Sequence, residues 1–213
     1  MMDGLEAQDR LKARADVIRE KVDEARQENA DELKARMDSL KQRAEELGVS
    51  ERVHFIHNDA AGYITDEKCD VAACVGATWI AGGVAGSIEL LAKSLKPGGM
   101  ILIGEPWWRQ VPATEDIAQA CGVSSRADFL TLPALVASFD ELGYDVVEMV
   151  LADQEGWDRY EAAKWLTMRR WLESNAGDDF ADEIRAELTI APKRHVTYTR
   201  EYFGWGVFAL IAR

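Results

Sequence analysis

The sequence predicts an α/β domain built on a parallel sheet, preceded by a long helix. Three observations carry that prediction. Two short apolar runs, Cys69-Asp-Val-Ala-Ala-Cys-Val-Gly76 and Met100-Ile-Leu-Ile-Gly-Glu-Pro-Trp-Trp-Arg109, have the character of strands buried on both faces. A helical stretch from Val84 to Lys96, closed by Pro97-Gly98-Gly99, lies between them, so that strand, helix and strand make a right-handed parallel unit. From Leu5 to Leu47 there is neither proline nor glycine, and Ala, Glu, Lys and Arg dominate.

Within that first stretch, apolar or small residues fall at Leu11, Ala15, Ile18, Val22 and Ala25, then at Leu33, Met37, Leu40, Ala44 and Leu47. Steps of three and four make the seam of an amphipathic helix. Asn29 stands where the spacing lapses. Unbroken, the helix would be ~60 Å long at 1.5 Å per residue. Such a length implies self-association, or a break near Glu28-Asn-Ala-Asp31 into a helical hairpin. Gly48 is a C-terminal stop, which divides the chain into a helical region, 1–48, and an α/β domain, 49–213.

Arg52-Val-His-Phe-Ile-His57 reads as a strand and Asn58-Asp-Ala-Ala-Gly62 as the loop at its end. His54 and His57 have a ligand-like spacing, but on a strand residues three apart face opposite sides, so no metal site is expected. After the paired strands come a short helix, Thr114 to Cys121, and a second, Leu132 to Leu142, ended by Gly143. Asp145 to Leu151 is a strand, and Asp153 to Asn175 a long helix holding Trp157, Tyr160, Trp165 and Trp171. The turn Ala176-Gly-Asp-Asp179 precedes a helix from Phe180 to Leu188. The last strand, Trp205 to Ala212, is expected to run antiparallel in the edge region of a mixed sheet.

Composition narrows the function classes. At 213 residues the chain suffices for one large domain. Its net charge of -13 argues against nucleic acid and against an anionic membrane surface, and reads as a solubility feature. The acidic start has no apolar segment of the secretory kind, and the apolar stretch Val71 to Gly86 is short and glycine-rich. The expected place is the cytoplasm. Cys69, Cys74 and Cys121 form no Cys-x-x-Cys and are odd in number, so they read as buried small hydrophobes rather than a disulfide framework or zinc site.

Ligands of open α/β sheets gather beyond the carboxyl ends of the strands. Here those ends carry Gly76-Ala-Thr-Trp-Ile-Ala-Gly-Gly83 and Gly104-Glu-Pro-Trp-Trp-Arg109. Two readings of the second stand side by side. Glu105 with Trp107, Trp108 and Arg109 forms a substrate pocket, one carboxylate against an aromatic wall that Trp79 extends; or the tryptophans cap the core while Glu105 pairs with Arg109. Gly82, Gly83 and Gly86 match neither a dinucleotide nor a Walker spacing and read as a tight turn opening a helix. Asp158 is an acidic candidate beside Trp157 and Tyr160, on a helix whose aromatic stripe reads as core. His195, in a polar segment, is either a general base or a structural histidine.

Four pieces then line up: Ala44-Glu-Glu-Leu-Gly-Val49, Arg52-Val-His-Phe-Ile-His-Asn-Asp-Ala60, Cys69-Asp-Val-Ala-Ala-Cys-Val75 and Leu95-Lys-Pro-Gly-Gly-Met-Ile-Leu-Ile103. In this order they resemble the back two-thirds of class I S-adenosylmethionine-dependent methyltransferases, over about Leu40 to Arg213. The resemblance implies a Rossmann-like methyltransferase sheet, truncated at its N-terminal strands and fronted by the long helix. It implies that Asp59 and Ala60 meet the adenine of S-adenosyl-L-methionine, that Val75, Gly76 and Ala77 lie under its methionine part, and that Glu105 to Arg109 shape the acceptor pocket. Catalysis would rest on positioning, with Glu105 or His195 as base and a small molecule as substrate.

The departure lies in front. The family opens with a strand, a glycine-rich turn and a helix, then a second strand whose acid grips the ribose. No residue before Val53 supplies these. The long helix therefore reads as a replacement, as in a chimera or a designed segment on a shortened enzyme. Two lost contacts to a charged group, at about 1.5–3 kcal/mol each, amount to roughly 3–6 kcal/mol. A micromolar site would fall to about millimolar. Without the first two strands, 52–57 is expected to pair directly, in parallel, with 69–75. The rival to an enzyme is a non-catalytic scaffold that assembles through its helix.

Overall fold

The computed structural model describes residues 33–213, divided into two compact units, one reaching Asn58 and the other running from Asp59 to Arg213. The expected seam ahead of Leu33, the lapse at Asn29, the break near Glu28 and the helix-driven self-association fall outside the described residues.

In the first unit, helix α1 covers 33–46. It stops where Gly48 turns left-handed, at φ 65°, and the Gly48 and Val49 amides donate to the carbonyls of Glu45 and Ala44. A 3-10 turn, Ser50–Arg52, follows. The strand expected at 52–57 does not form: residues 53–57 are irregular, and Val53 and Ile56 are exposed. A strand is held by its neighbour in a sheet, and the apolar residues of this one find no ladder to join. The expected pairing with 69–75 is overturned with it. The premise that kept His54 and His57 apart, a pleated strand, is likewise missing.

The second unit carries a four-stranded sheet: β1 (Cys69–Val75), β2 (Leu95–Trp108), β3 (Tyr144–Leu151) and β4 (Phe203–Ala212), in the order β1-β2-β4-β3. β1 and β2 are parallel, with Ala72 opposite Ile101 and Val75 opposite Gly104. β4 is antiparallel as expected, but it lies inside the sheet, between β2 and β3, rather than at its edge. Phe208, Ala209 and Leu210 are consecutive and all buried, the burial of an inner strand. β1 is the edge.

Helix α2 (Val84–Ala92) is shorter than predicted, because β2 already begins at Leu95. Pro97-Gly98-Gly99 is a bulge within β2, between the pairs Cys69–Leu95 and Val71–Met100. Gly86 admits α2 close to the preceding turn: a Cβ there would stand 1.9 Å from the Ala81 carbonyl oxygen. That close approach, with a left-handed turn at Gly82, accounts for these glycines without a phosphate.

Helices α3 (Glu115–Ala120), α4 (Leu132–Glu141) and α5 (Gln154–Ser174) follow the predicted positions closely. Ile101, Ile103, Phe208 and Leu210 form one core face, packed with Ile88 of α2 and Leu135 and Phe139 of α4. Trp107 joins this core, whereas Trp108 packs on the other side with Ala118 and Val123, since successive strand residues alternate. Helix α6 (Ala181–Arg194) outruns its predicted end and contains Pro192. It opens into a π-helical turn, His195–Thr199, and then a single turn, α7 (Arg200–Tyr202), before β4.

Candidate active site at the strand carboxyl ends

β1 ends at Val75, and Gly76 turns the chain away with φ 73°, donating its amide to the Gly104 carbonyl at 3.0 Å. A side chain at Gly76 would need that left-handed backbone and would place its Cβ 3.2 Å from the Trp205 ring. Bare backbone therefore faces the end of the sheet. Ala77 leads into a short 3-10 helix, Thr78–Ala81, on which Trp79 is 77% exposed.

A hollow of about 300 Å³ runs beside β1 and brings Ala60 and Ala77 into one wall, together with Tyr63, Ala73 and Ile80. Its lining is mostly apolar. Asp59 caps the 3-10 turn Ala60–Gly62, its carboxylate accepting the Ala61 amide at 3.0 Å. A second hollow, of about 520 Å³, opens at Gly76 and Pro106. Its aromatic residues are Trp157, Tyr160, Phe203 and Trp205. Trp157 and Tyr160 stack with centroids 5.5 Å apart. A third, of about 340 Å³, includes His195 and Arg194 and shares Cys121, Glu161, Lys164 and Thr199 with the second.

Glu105 is buried, 7% exposed, and accepts the Thr78 hydroxyl at 2.7 Å. Burial raises its carboxyl above the ordinary 4.5, and the Thr78 hydrogen bond opposes part of that rise. The Glu105–Arg109 pair, one of the two readings of this segment, is not formed. Arg109 instead donates its Nε to the Phe203 carbonyl at 2.9 Å and lies over the Trp107 ring. Trp107 and Trp108 are buried in the two cores, Trp108 with Nε1 donating to the Arg126 carbonyl, and neither lines the hollows described above.

His195 is 3% exposed, and its Nε2 sits 2.8 Å from Asp158 Oδ1. Arg200 Nε donates to both Asp158 oxygens at 3.1 Å. The His195 hydrogen bond, then Arg200, holds the Asp158 carboxyl below its usual range. His195 Nδ1 and Trp157 Nε1 are buried without a partner among the described residues. Burial pushes the Cys121 thiol up to about 11.

The fold thus gathers Ala60 with Ala77, Glu105 with Thr78, and Asp158 with His195. It keeps Trp79, Trp107 and Trp108 apart from the hollows. Residue types alone missed Trp205, Tyr160, Glu161 and Lys164 as walls, though Gly204-Trp-Gly206 signals a tryptophan set between residues that make room for it. Among the described residues, no cluster of three or more His, Cys, Asp or Glu is arranged to hold a metal ion, and no helix is long and apolar enough to cross a membrane.

No family model matches the chain. Over 170 residues it is 84% identical to the uncharacterised protein YjhP of Escherichia coli K12, covering 80% of this chain and 68% of that protein. A crystal structure of a SAM-dependent methyltransferase from Geobacter sulfurreducens, in complex with S-adenosyl-L-homocysteine, superposes with a TM-score of 0.78 at 72% identity, over 81% of this chain and 70% of that one. The Thiobacillus denitrificans SAM-dependent methyltransferase, also in complex with S-adenosyl-L-homocysteine, gives 0.78 at 68% identity, over 81% and 70%.

Proposed function

Because the chain belongs to the class I S-adenosylmethionine-dependent methyltransferases, with YjhP as a relative, we propose that it binds S-adenosyl-L-methionine at the carboxyl end of β1 and methylates a small molecule. The observation that carries this reading is the hollow beside β1. It joins Ala60 and Ala77, the positions that resemblance assigns to the adenine and methionine ends of the cofactor.

The residues fit the cofactor in part. The open backbone at Gly76 and the apolar lining suit a nucleoside and a thioether. Asp59, Ala60, Val75, Gly76 and Ala77 would hold it, and the bound cofactor supplies an electrophilic methyl group. Among the described residues lining that hollow, none is a carboxylate that could grip the ribose hydroxyls. Affinity is therefore weakened, to about millimolar on the cost of two charged hydrogen bonds. Calorimetry with S-adenosylhomocysteine tests this: a millimolar dissociation constant is expected, a micromolar one overturns the weakening, and no binding at all overturns the function.

The second hollow is the acceptor pocket. Its aromatic residues offer a wall for a flat molecule, and Gly76 and Pro106 bring it to the ends of β1 and β2. Arg109, Trp107 and Trp108 act on it only by fixing the ends of β2 and β4. Glu105 and His195 are the two groups able to move a proton. The scaffold reading rests on the segment outside the described residues, and no observation favours it.

A further inference from the structure

Resting on the methyltransferase reading, we propose that the acceptor is a planar hydroxylated molecule of the phenol class, and that His195 Nδ1 takes its proton while Asp158 positions the ring. The geometry is that of an oriented imidazole. A carboxylate only accepts, so His195 Nε2, 2.8 Å from Asp158 Oδ1, carries the proton. In the neutral ring the lone pair is then on Nδ1, and that atom is buried without a partner among the described residues. An unsatisfied buried acceptor is costly, and a hydroxyl hydrogen from a ligand relieves the cost. The ring is held from one further side, and its partner is held in turn. Trp165 meets it edge-on at 5.8 Å, and Arg200 anchors Asp158. The turn that holds His195 is π-helical, a departure from regular helix common at functional sites.

Charge selects the class of nucleophile. Around His195, α5 presents Asp158, Glu161 and Lys164, α6 presents Arg194, and the end of α3 presents Cys121. Lys164 pairs with Glu161 at 2.6 Å, Arg194 pairs with Glu187, and Arg200 with Asp158. Among the described residues here, each carboxylate already has a cationic partner and none is left over to hold an ammonium group, so the nucleophile arrives neutral and has to lose a proton. The Cys121 thiol, raised to about 11, does not compete as a base. Glu105 is committed to Thr78, which leaves His195. The stacked Trp157–Tyr160 pair with Phe203 and Trp205 suits an aromatic ring, and the unpartnered Trp157 Nε1 offers a donor to a second oxygen on it.

The step balances. The acceptor O–H bond breaks and its proton passes to Nδ1, making an imidazolium held by Asp158. The freed oxygen pair forms a bond to the methyl carbon as the carbon–sulfur bond breaks toward sulfur. An aryl methyl ether and a thioether leave, and the imidazolium returns its proton to water.

The test uses the full chain and 4-nitrophenol, whose phenolate absorbs visibly, with no cofactor present. Bound probe is expected to ionise below its ordinary pKa. In Asp158→Asn, which leaves the ring in place with a weaker partner, the phenolate fraction falls about tenfold or more. Ring-nitrogen NMR of His195 is expected to give an Nε2–H tautomer that converts to imidazolium with the probe. In His195→Gln the bound probe is expected to stay neutral; if that variant does not fold, Asp158→Asn and the NMR decide alone. No probe binding, bound probe that stays neutral, an Nδ1–H tautomer, or an unchanged phenolate fraction in Asp158→Asn overturns the proposal. The S-adenosylhomocysteine calorimetry is independent of all these readouts, so cofactor binding without phenol ionisation removes the role of His195 and leaves the function standing.

Discussion

Glu105 and Thr78 are 27 residues apart in the chain and 2.7 Å apart in space. Because burial raises the Glu105 carboxyl, the folded protein holds that proton at a pH where the unfolded chain has released it. The stabilising contribution is complete below the unfolded value and lost as pH rises through the raised one. Equilibrium denaturation across the range just above 4.5 is therefore expected to lose stability with rising pH, and Glu105→Gln to flatten that slope. Asp158 has the opposite sign. Its depressed carboxyl stabilises the fold above its unfolded value, and the effect fades in acid. Asp158→Asn is expected to melt below the native protein at neutral pH and to match it in acid. At this scale Glu105 and Asp158 are legible as acids beside aromatics, and His195 as a histidine in a polar segment. Their partners are not. His195 finds Asp158 across 37 residues, and spacing carries no information about such a meeting.

The elements follow the apolar pattern wherever that pattern is long. The helices of the second unit and the strands β1, β3 and β4 lie close to where periodicity places them. The strand expected at 52–57 fails because a short apolar run records a tendency to pair and says nothing of whether a partner is present. β4 illustrates the converse: its apolar run reads as a strand, but only the ladder to β2 and β3 sets it inside the sheet rather than in the edge region. Glycines on β4 fix how the tryptophans lie. A Cβ at Gly204 would stand 2.4 Å from the Trp107 ring. Gly204→Ala is expected to cost about 1–3 kcal/mol, as overpacked cores do, measured by chemical denaturation. No change in midpoint would mean that the Trp107 ring has room to move.

For the molecule as a whole, the back of a methyltransferase sheet is recognisable because its strand-end motifs occur in order, and the identity to YjhP over most of the chain agrees. The second hollow was not legible in the sequence, because its walls come from the turn after β1 and from β2, α5 and β4 together. The central claim is that the turn after β1 and the loop at Asp59 hold the cofactor. Amide NMR during titration with S-adenosylhomocysteine tests it residue by residue. The expected result is saturable shifts at Asp59, Ala60 and Val75 through Ala77, half-complete near millimolar ligand. Saturable binding that leaves those five amides unmoved would contradict it.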